Sequence, residues 1–470
     1  MLDVLWGIGG MAVLLAVAVA FSTNRRAISL RTVGGALALQ VGFGVLVLYW
    51  DLGRRLLGAA SRGVQAVINS ANEGISFLFG PVLPGDDEGV VFAFQVLPVI
   101  IFFASLTAVL YHVGVLQWVV KGLGGALGRL LGTEHAESVN AAANIFVGQT
   151  EAPLVIRPYI DGLSRSGLFA VMVGGLSTVA GSVLVGYSLL GAPLEYLIAA
   201  AFMAAPGALL MAKIILPEED HEAAAAERDR VHASAGRRAR RDTVTVEAST
   251  GGPTSSWDAA RAEPQDRADP DARGGDDRPP EDHDGDPPED GADDPDGMGH
   301  RNVIDAAASG AADGLRLAAT IGAMLLAFIS LIALANLVIG GVGGWFGYGD
   351  LTFEQILGWL FAPVMAAIGV PWNEAVAAGS FVGQKVVVNE FVAFTNFGPE
   401  IDSFSDKTAA IVTFALTGFA NLGSLGILLG GLGGIAPDRR SEIASLGLRA
   451  ILAATLANLM SAAIAGILLG

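Results

Sequence analysis

The chain has 470 residues, of which 52% are hydrophobic and 16% charged, with 62 glycines and no cysteine. The lack of cysteine excludes disulfides, thiolate metal sites and thiol catalysis, and so apolar a composition points to membrane helices packed through small residues, not to two or three soluble domains. The net charge of −18 is concentrated in Pro217–Arg301, which holds 24 acidic and 11 basic residues, so the acidity belongs to an insert and says little about a substrate.

Eight stretches are long and apolar enough to cross about 30 Å of hydrocarbon. They are Val4–Phe21, Val33–Tyr49, Val91–Val113, Gly167–Leu190, Leu194–Leu216, Leu315–Leu337, Thr408–Gly430 and Leu446–Leu469. The opening MLDVLWG puts an acidic residue where a cleaved leader needs basic ones, so the first stretch is expected to be retained. Leu56–Phe79 is amphipathic, with Arg62, Asn69 and Glu73 interspersed, and reads as an interfacial helix. Leu116–Leu131 and Phe353–Ile368 are expected along or within the membrane edge.

Basic residues orient these spans. Arg25, Arg26 and Arg31 follow the first, Lys121 and Arg129 the third, Lys213 and Arg237–Arg241 the fifth, and Arg439 and Arg440 the seventh. Odd-to-even junctions are therefore cytoplasmic and both termini lie outside the cell membrane. Arg54, Arg55 and Arg62 dissent, but share their loop with Asp86, Asp87 and Glu88. The cytoplasmic insert carries nine of the twenty prolines, and Asp266–His300 has no Ile, Leu, Val or Phe. It cannot bury enough apolar area to order itself, so it is expected to be disordered. Its four histidines lack metal-ligand spacing. Four lysines against 24 arginines, in so acidic a chain, are compatible with a high-salt cytoplasm.

Two apolar segments are too broken for simple spans: Glu137–Leu163 and Trp372–Phe397. The first contains NIFVGQTEAPLVIRPY, Asn144–Tyr159, with Gln149, Thr150 and Glu151 in succession before Pro153. The second contains GQKVVVNEF, Gly383–Phe391, with Asn389 and Glu390. A carboxylate at bilayer depth costs roughly 2.5–3.5 kcal/mol on insertion scales, so it needs a partner or a wet cavity. Irregular backbone at that depth survives only inside protein or along a cavity. Both segments therefore read as re-entrant hairpins. Each precedes two spans and they enter from opposite faces, which makes an inverted repeat. The span after each hairpin is also interrupted by polar residues: LSTVAGSVLVG, Leu176–Gly186, and GFANLGSLG, Gly418–Gly426. Unwinding there frees carbonyls and hydroxyls for a hard cation such as sodium.

The motifs GQTEAPLVIRPY, GxKxxxNEFVA at Gly383–Ala393 and GFANLGS at Gly418–Ser424 resemble those of the concentrative nucleoside transporter family. The resemblance covers the whole chain except the insert. It implies an all-α polytopic homotrimer, each protomer carrying a scaffold and a mobile transport domain that moves like an elevator, driven by sodium or by protons. It implies that Gln149, Thr150 and Glu151 meet the nucleobase with Val183 beside them and Phe419 packed on the base. Glu390, Asn421 and Ser424 would hold the ribose hydroxyls. The sodium ligands it implies are the Asn144 and Thr178 side chains with the Val147 and Val179 carbonyls. Two positions depart from the family pattern: Thr178 stands for an expected serine, which keeps the hydroxyl, and Gly423 for another, which is expected to relax base selectivity.

The expected organisation is a scaffold at 1–132 and 302–371, transport repeats at 133–216 and 372–470, and the insert at 217–301. Lys385 is expected to be a structural or counter-charge partner, Arg157 an interfacial anchor, and His112 and His135 ordinary helix or loop residues. No cofactor is expected beyond sodium as the coupling ion; the partners are a nucleoside and membrane lipid, with no nucleic acid. Two other readings remain: an intramembrane enzyme with Glu151 and Glu390 as an acid–base pair, and a passive nucleoside channel. No nucleophile–base set or phosphate-binding loop supports the enzyme, and two-sided symmetry serves transport.

Overall fold

In the computed structural model, residues 2–83, 91–218 and 300–470 are described, and the regular structure among them is entirely helical. The acidic insert, apart from Pro217, Glu218, His300 and Arg301, lies outside the described residues, as do the Arg237–Arg241 cluster and Asp86, Asp87 and Glu88.

The chain begins with α1 (Leu2–Ala20) and α2 (Leu30–Gly44), the latter capped by Ser29, whose hydroxyl accepts from the Thr32 amide, and prolonged by a π-turn to Tyr49. Amphipathic α3 (Asp51–Phe79) follows, then α4 (Phe92–His112) and α5 (Val115–Leu131). The short α6 (His135–Ala143) is closed at its start by a capping box between Glu134 and Glu137. A turn leads to α7 (Ala152–Val155), a single turn that opens with Pro153 and is stopped before Pro158. Next come α8 (Arg165–Ser177), α9 (Gly181–Leu189) and α10 (Leu194–Ile215).

After the insert, α11 (Val303–Gly344) runs for 42 residues, and the stretch expected at Leu315–Leu337 is its middle. Helix α12 (Phe353–Ala367), expected along or within the membrane edge, packs along α13 (Trp372–Val387), the chain bending by 118° between them. Helices α14 (Glu390–Phe397), α15 (Asp406–Leu416), α16 (Leu422–Ile435) and α17 (Arg440–Leu469) complete the fold. Among the described residues, six helices, counting α8–α9 as one, are long and apolar enough to cross a membrane. Of the two remaining expected spans, α1 is a shorter apolar helix and Thr408–Gly430 is two helices broken at Thr417–Asn421.

Burial separates these helices. Helices α8, α10 and the C-terminal two thirds of α17 are buried almost all round, so they form the core against which the short helices lean. Seven alanines and Gly207 among the 22 residues of α10 let α2, α8 and α17 come close. Helix α11 is largely exposed, with Leu326, Leu337 and Val338 on its surface. It is held on one side by α4: a Cβ on Gly310 would fall 2.6 Å from Ala108 Cβ, and one on Gly314 2.8 Å from Ala104 Cβ.

Candidate functional site

Four chain breaks converge on the core. The first lies in hairpin 1, between α6 and α7, and the second at Thr178–Ala180 between α8 and α9. The third is Val388–Asn389 between α13 and α14 (hairpin 2), and the fourth is Thr417–Asn421 between α15 and α16. Backbone groups freed at one break are taken up at another. The Gly181 amide donates to the Phe146 carbonyl at 3.1 Å, and the Phe419 amide to the Thr178 carbonyl at 3.2 Å. Asn458, buried in the middle of α17, donates its amide to the Ser177 carbonyl at 2.7 Å and the Thr417 carbonyl at 2.9 Å. Gly418 makes that crossing possible, because a Cβ there would stand 2.3 Å from Asn458 Oδ1 and 2.8 Å from the Ser177 oxygen.

A cavity of about 110 Å³ opens between the breaks. Hairpin 1 supplies Gln149, Thr150 and Glu151, and α9 supplies Val183. Hairpin 2 supplies Glu390, and the fourth break and α16 supply Phe419, Asn421 and Ser424. All eight residues expected at a ligand thus share one cavity. Its far wall was not foreseen: Leu317, Thr320, Ile321, Met324 and Leu325 of α11 face it, with Phe391 and Ile427. The apolar positions among them repeat at ordinary helical spacing, and of these five α11 residues Thr320 alone offers a polar signal.

The polar groups of hairpin 2 and α16 are fixed in place. Asn389 and Asn421 each cap a helix that starts inside the core, accepting from the Val392 amide at 2.9 Å and the Ser424 amide at 2.7 Å. With its oxygen so engaged, Asn421 turns its Nδ2 to Glu390 Oε2 at 2.8 Å. Glu390 is the first residue of α14, where the partial positive charge of a helix start favours a carboxylate. Hairpin 1 is more open. Gln149 is 5% exposed and its Oε1 has no hydrogen-bond partner. A buried acceptor of that kind calls for a donor.

The residues expected at sodium lie behind the cavity, at the junction of hairpin 1 with the second break. Asn144 is fully buried; its Nδ2 donates to the Asn140 carbonyl at 2.9 Å, whereas its Oδ1 has no partner. Thr178 is also buried and its hydroxyl donates to the Gly174 carbonyl at 2.8 Å, leaving oxygen lone pairs free. The Val147 and Val179 carbonyls accept none of the backbone bonds that close the breaks. An orphaned amide oxygen, a hydroxyl oxygen and two uncommitted carbonyls are the hard donors a sodium ion takes.

Lys385 does not line the cavity. Its Nζ donates to the Ala415 carbonyl and to Asn458 Oδ1, both at 2.7 Å, which agrees with the expected structural role. Arg157 and His135 border a separate cavity of about 350 Å³ with Lys121, and none of the expected ligand residues lines it. Hairpin 1 is tied down by buried charge. Lys213 of α10 meets Glu137 at 2.8 Å and Glu218 at 3.4 Å, and Arg439 donates to the Ile160 and Leu163 carbonyls at 3.0 and 2.7 Å.

Three family models match the chain: Na+ dependent nucleoside transporter N-terminus over residues 9–82, Nucleoside recognition over 93–194, and Na+ dependent nucleoside transporter C-terminus over 276–466. An uncharacterized transporter of Bacillus subtilis, YutK, is 48% identical over 465 residues, covering 99% of each chain. The nucleoside permease NupC of Helicobacter pylori is 41% identical, covering 99% of this chain and 98% of its own. A solved structure of CNTnw in an inward-facing substrate-bound state superposes with a TM-score of 0.81 at 48% identity, covering 99% of this chain and 98% of that one.

Proposed function

The chain belongs to the concentrative nucleoside transporter family, and on that premise we propose that it takes up nucleosides by sodium symport. The family is one of transporters, not enzymes. The observation that carries the proposal is one cavity between two hairpins, polar at both ends and apolar along one wall, with an orphaned amide oxygen behind it. Glu390, Asn421 and Ser424 bind the ribose. A carboxylate held by a helix start and an amide accepts strongly from hydroxyls, and such a site rejects analogues that lack them. Gln149, Thr150 and Glu151 read the polar edge of the base, Val183 fits beside it and Phe419 packs on its face. Sodium binds to the Asn144 and Thr178 side chains and the Val147 and Val179 carbonyls. Because the turn that carries Asn144 also carries Gln149, ion binding orders the nucleobase side of the cavity, which couples the two.

The hairpins are re-entrant and enter from opposite faces, so the halves 133–216 and 372–470 form an inverted repeat in a fold of eight spans with both termini outside. They move as one transport domain, elevator-like, against a scaffold of 1–132 and 302–371 with interfacial α3, α5 and α12. The exposed apolar faces of α4 and α11 meet lipid and the other copies of a homotrimer in the cell membrane. The insert is cytoplasmic. The test is equilibrium binding of ribonucleosides and their deoxy analogues to the purified protein with and without sodium. Binding that ignores both the ribose hydroxyls and sodium would defeat this reading.

A further inference from the structure

The separate cavity of about 350 Å³ opens at the base of hairpin 1, away from the expected ligand residues. Three elements enclose it. Helix α5 contributes Gln117, Val120 and Lys121, which stand at i, i+3 and i+4 and so share one face. His135 begins α6, the first limb of the hairpin, and Arg157 follows α7, which leads out of it. Gly124 lets α5 lie against α6, because a Cβ there would fall 2.7 Å from Val139 Cα. The packing thus gathers two cations and an imidazole, far apart in sequence, around one space.

These charges are left unanswered. No carboxylate among the described residues lines the cavity, and among those residues the side chains of Lys121, His135 and Arg157 enter no ion pair or hydrogen bond. Other basic groups around the hairpin are paired: Lys213 with Glu137 and Glu218, Arg439 with Glu442. A cleft lined by one sign of charge concentrates the opposite sign within it. The neighbouring face of α5 is apolar and uncovered, with Val115 53% and Trp118 79% exposed. Tryptophan favours the level of lipid headgroups. In the orientation proposed above, the base of hairpin 1 lies at the cytoplasmic leaflet, whose surface is anionic.

We propose that this cavity is a phosphate-ester site, filled by the headgroup of an anionic phospholipid of the cytoplasmic leaflet. Arg157 holds the phosphate oxygens with its planar fork, Lys121 adds a point charge and His135 an N–H donor. The acyl chains lie over Val115 and Trp118, contacts that a free phosphate lacks. Because the ligands come from α5 and from both sides of the hairpin, the lipid ties the base of hairpin 1 to α5. The proposal rests on the orientation above and not on sodium symport.

The test counts lipid bound to the purified full-length protein in a neutral detergent by native mass spectrometry, without sodium or nucleoside. Phosphatidylglycerol and phosphatidylcholine of equal chain length are titrated in parallel. Wild type should prefer phosphatidylglycerol by about tenfold or more, since each basic residue near an anionic headgroup contributes about fivefold. The double variant Lys121→Gln, Arg157→Gln should lose that preference, and Arg157→Lys should keep most of it. Arg129→Gln, on the same helix but away from the cavity, should behave as wild type. An equal preference in wild type and the double variant would overturn the proposal, and Arg157→Gln alone decides it if the double variant does not fold. Inorganic phosphate that displaces phosphatidylglycerol from wild type at equal concentration would overturn the lipid as the occupant. Arg129→Cys, a lone thiol in a chain without cysteine, reports the orientation. It should react with an impermeant maleimide only after cells are opened; reaction from outside would overturn the leaflet and leave the site.

Discussion

The two hairpins carry similar residues but leave them in opposite states. Every side-chain polar atom of the hairpins that is buried without a hydrogen-bond or ion-pair partner belongs to hairpin 1: both amide atoms of Asn140, Asn144 Oδ1 and Gln149 Oε1. Hairpin 2 answers its own groups, with Asn389 spent on a helix cap and Lys385 spent on Ala415 and Asn458. Unsatisfied buried polar atoms cost about 1–3 kcal/mol each, so they persist where a ligand or ion completes them. The anchoring differs in the same sense. Hairpin 1 has a limb of nine residues fixed through Lys213, whereas the 16-residue α13 lies along α12. Hairpin 1 is built to be completed, whereas hairpin 2 is complete from the start.

The largest expected effect breaks the anchor of hairpin 1. Lys213→Met leaves the buried Glu137 and the half-buried Glu218 without their cation, and stability should fall by about 3–5 kcal/mol, measured as a lower Tm in detergent. Next, Glu390→Gln keeps the shape and the bond from Asn421 but removes the charge. Nucleoside affinity should fall about tenfold to a hundredfold, since a charge-assisted bond contributes about 1.5–3 kcal/mol. Deoxyribose analogues lacking the bonded hydroxyl should lose much less, in a binding series on the purified protein.

The amides of the two hairpins should then separate cleanly. Asn144→Ala should raise the sodium concentration for half-maximal binding by about tenfold, the loss of one good ion contact at ~1.4 kcal/mol. Asn389→Ala removes a helix cap and should cost about 1 kcal/mol of stability with no change in sodium dependence. Titrations that move both midpoints alike would erase the contrast between hairpins. A smaller change is expected from Glu151→Gln, which should reorder affinities among bases while sensitivity to ribose hydroxyls stays intact. The smallest should come from outside both halves. Replacing Asp242–His300 by a short Gly/Ser linker should leave uptake within about threefold, because the entropy of a loop changes slowly with its length.

Much of this contrast was legible in the chain itself. Gln149, Thr150, Glu151 and Glu390 stand out as polar groups in apolar surroundings, and Asn421 as an amide inside a span; the structure gathers them at one cavity. The α11 wall was hidden because Leu317, Ile321 and Leu325 repeat at the same helical spacing as any packed or lipid-facing stripe. For the same reason hydropathy could not tell buried α10 from exposed α11. Asn458 also escaped notice. A lone amide in a long span gives a weak signal, and its worth lies in the two breaks it joins, which are distant in sequence.

In the proposed symport a sodium ion completes the first half and thereby drives nucleoside uptake. This is tested most directly in proteoliposomes holding the purified protein, with an inward sodium gradient that can be collapsed at will. Uridine or adenosine should accumulate above its external concentration while the gradient stands and leak back when it is dissipated, with Asn144→Ala needing more sodium for the same rate. Uptake that runs equally well with choline in place of sodium, or that follows only a proton gradient, would contradict the account.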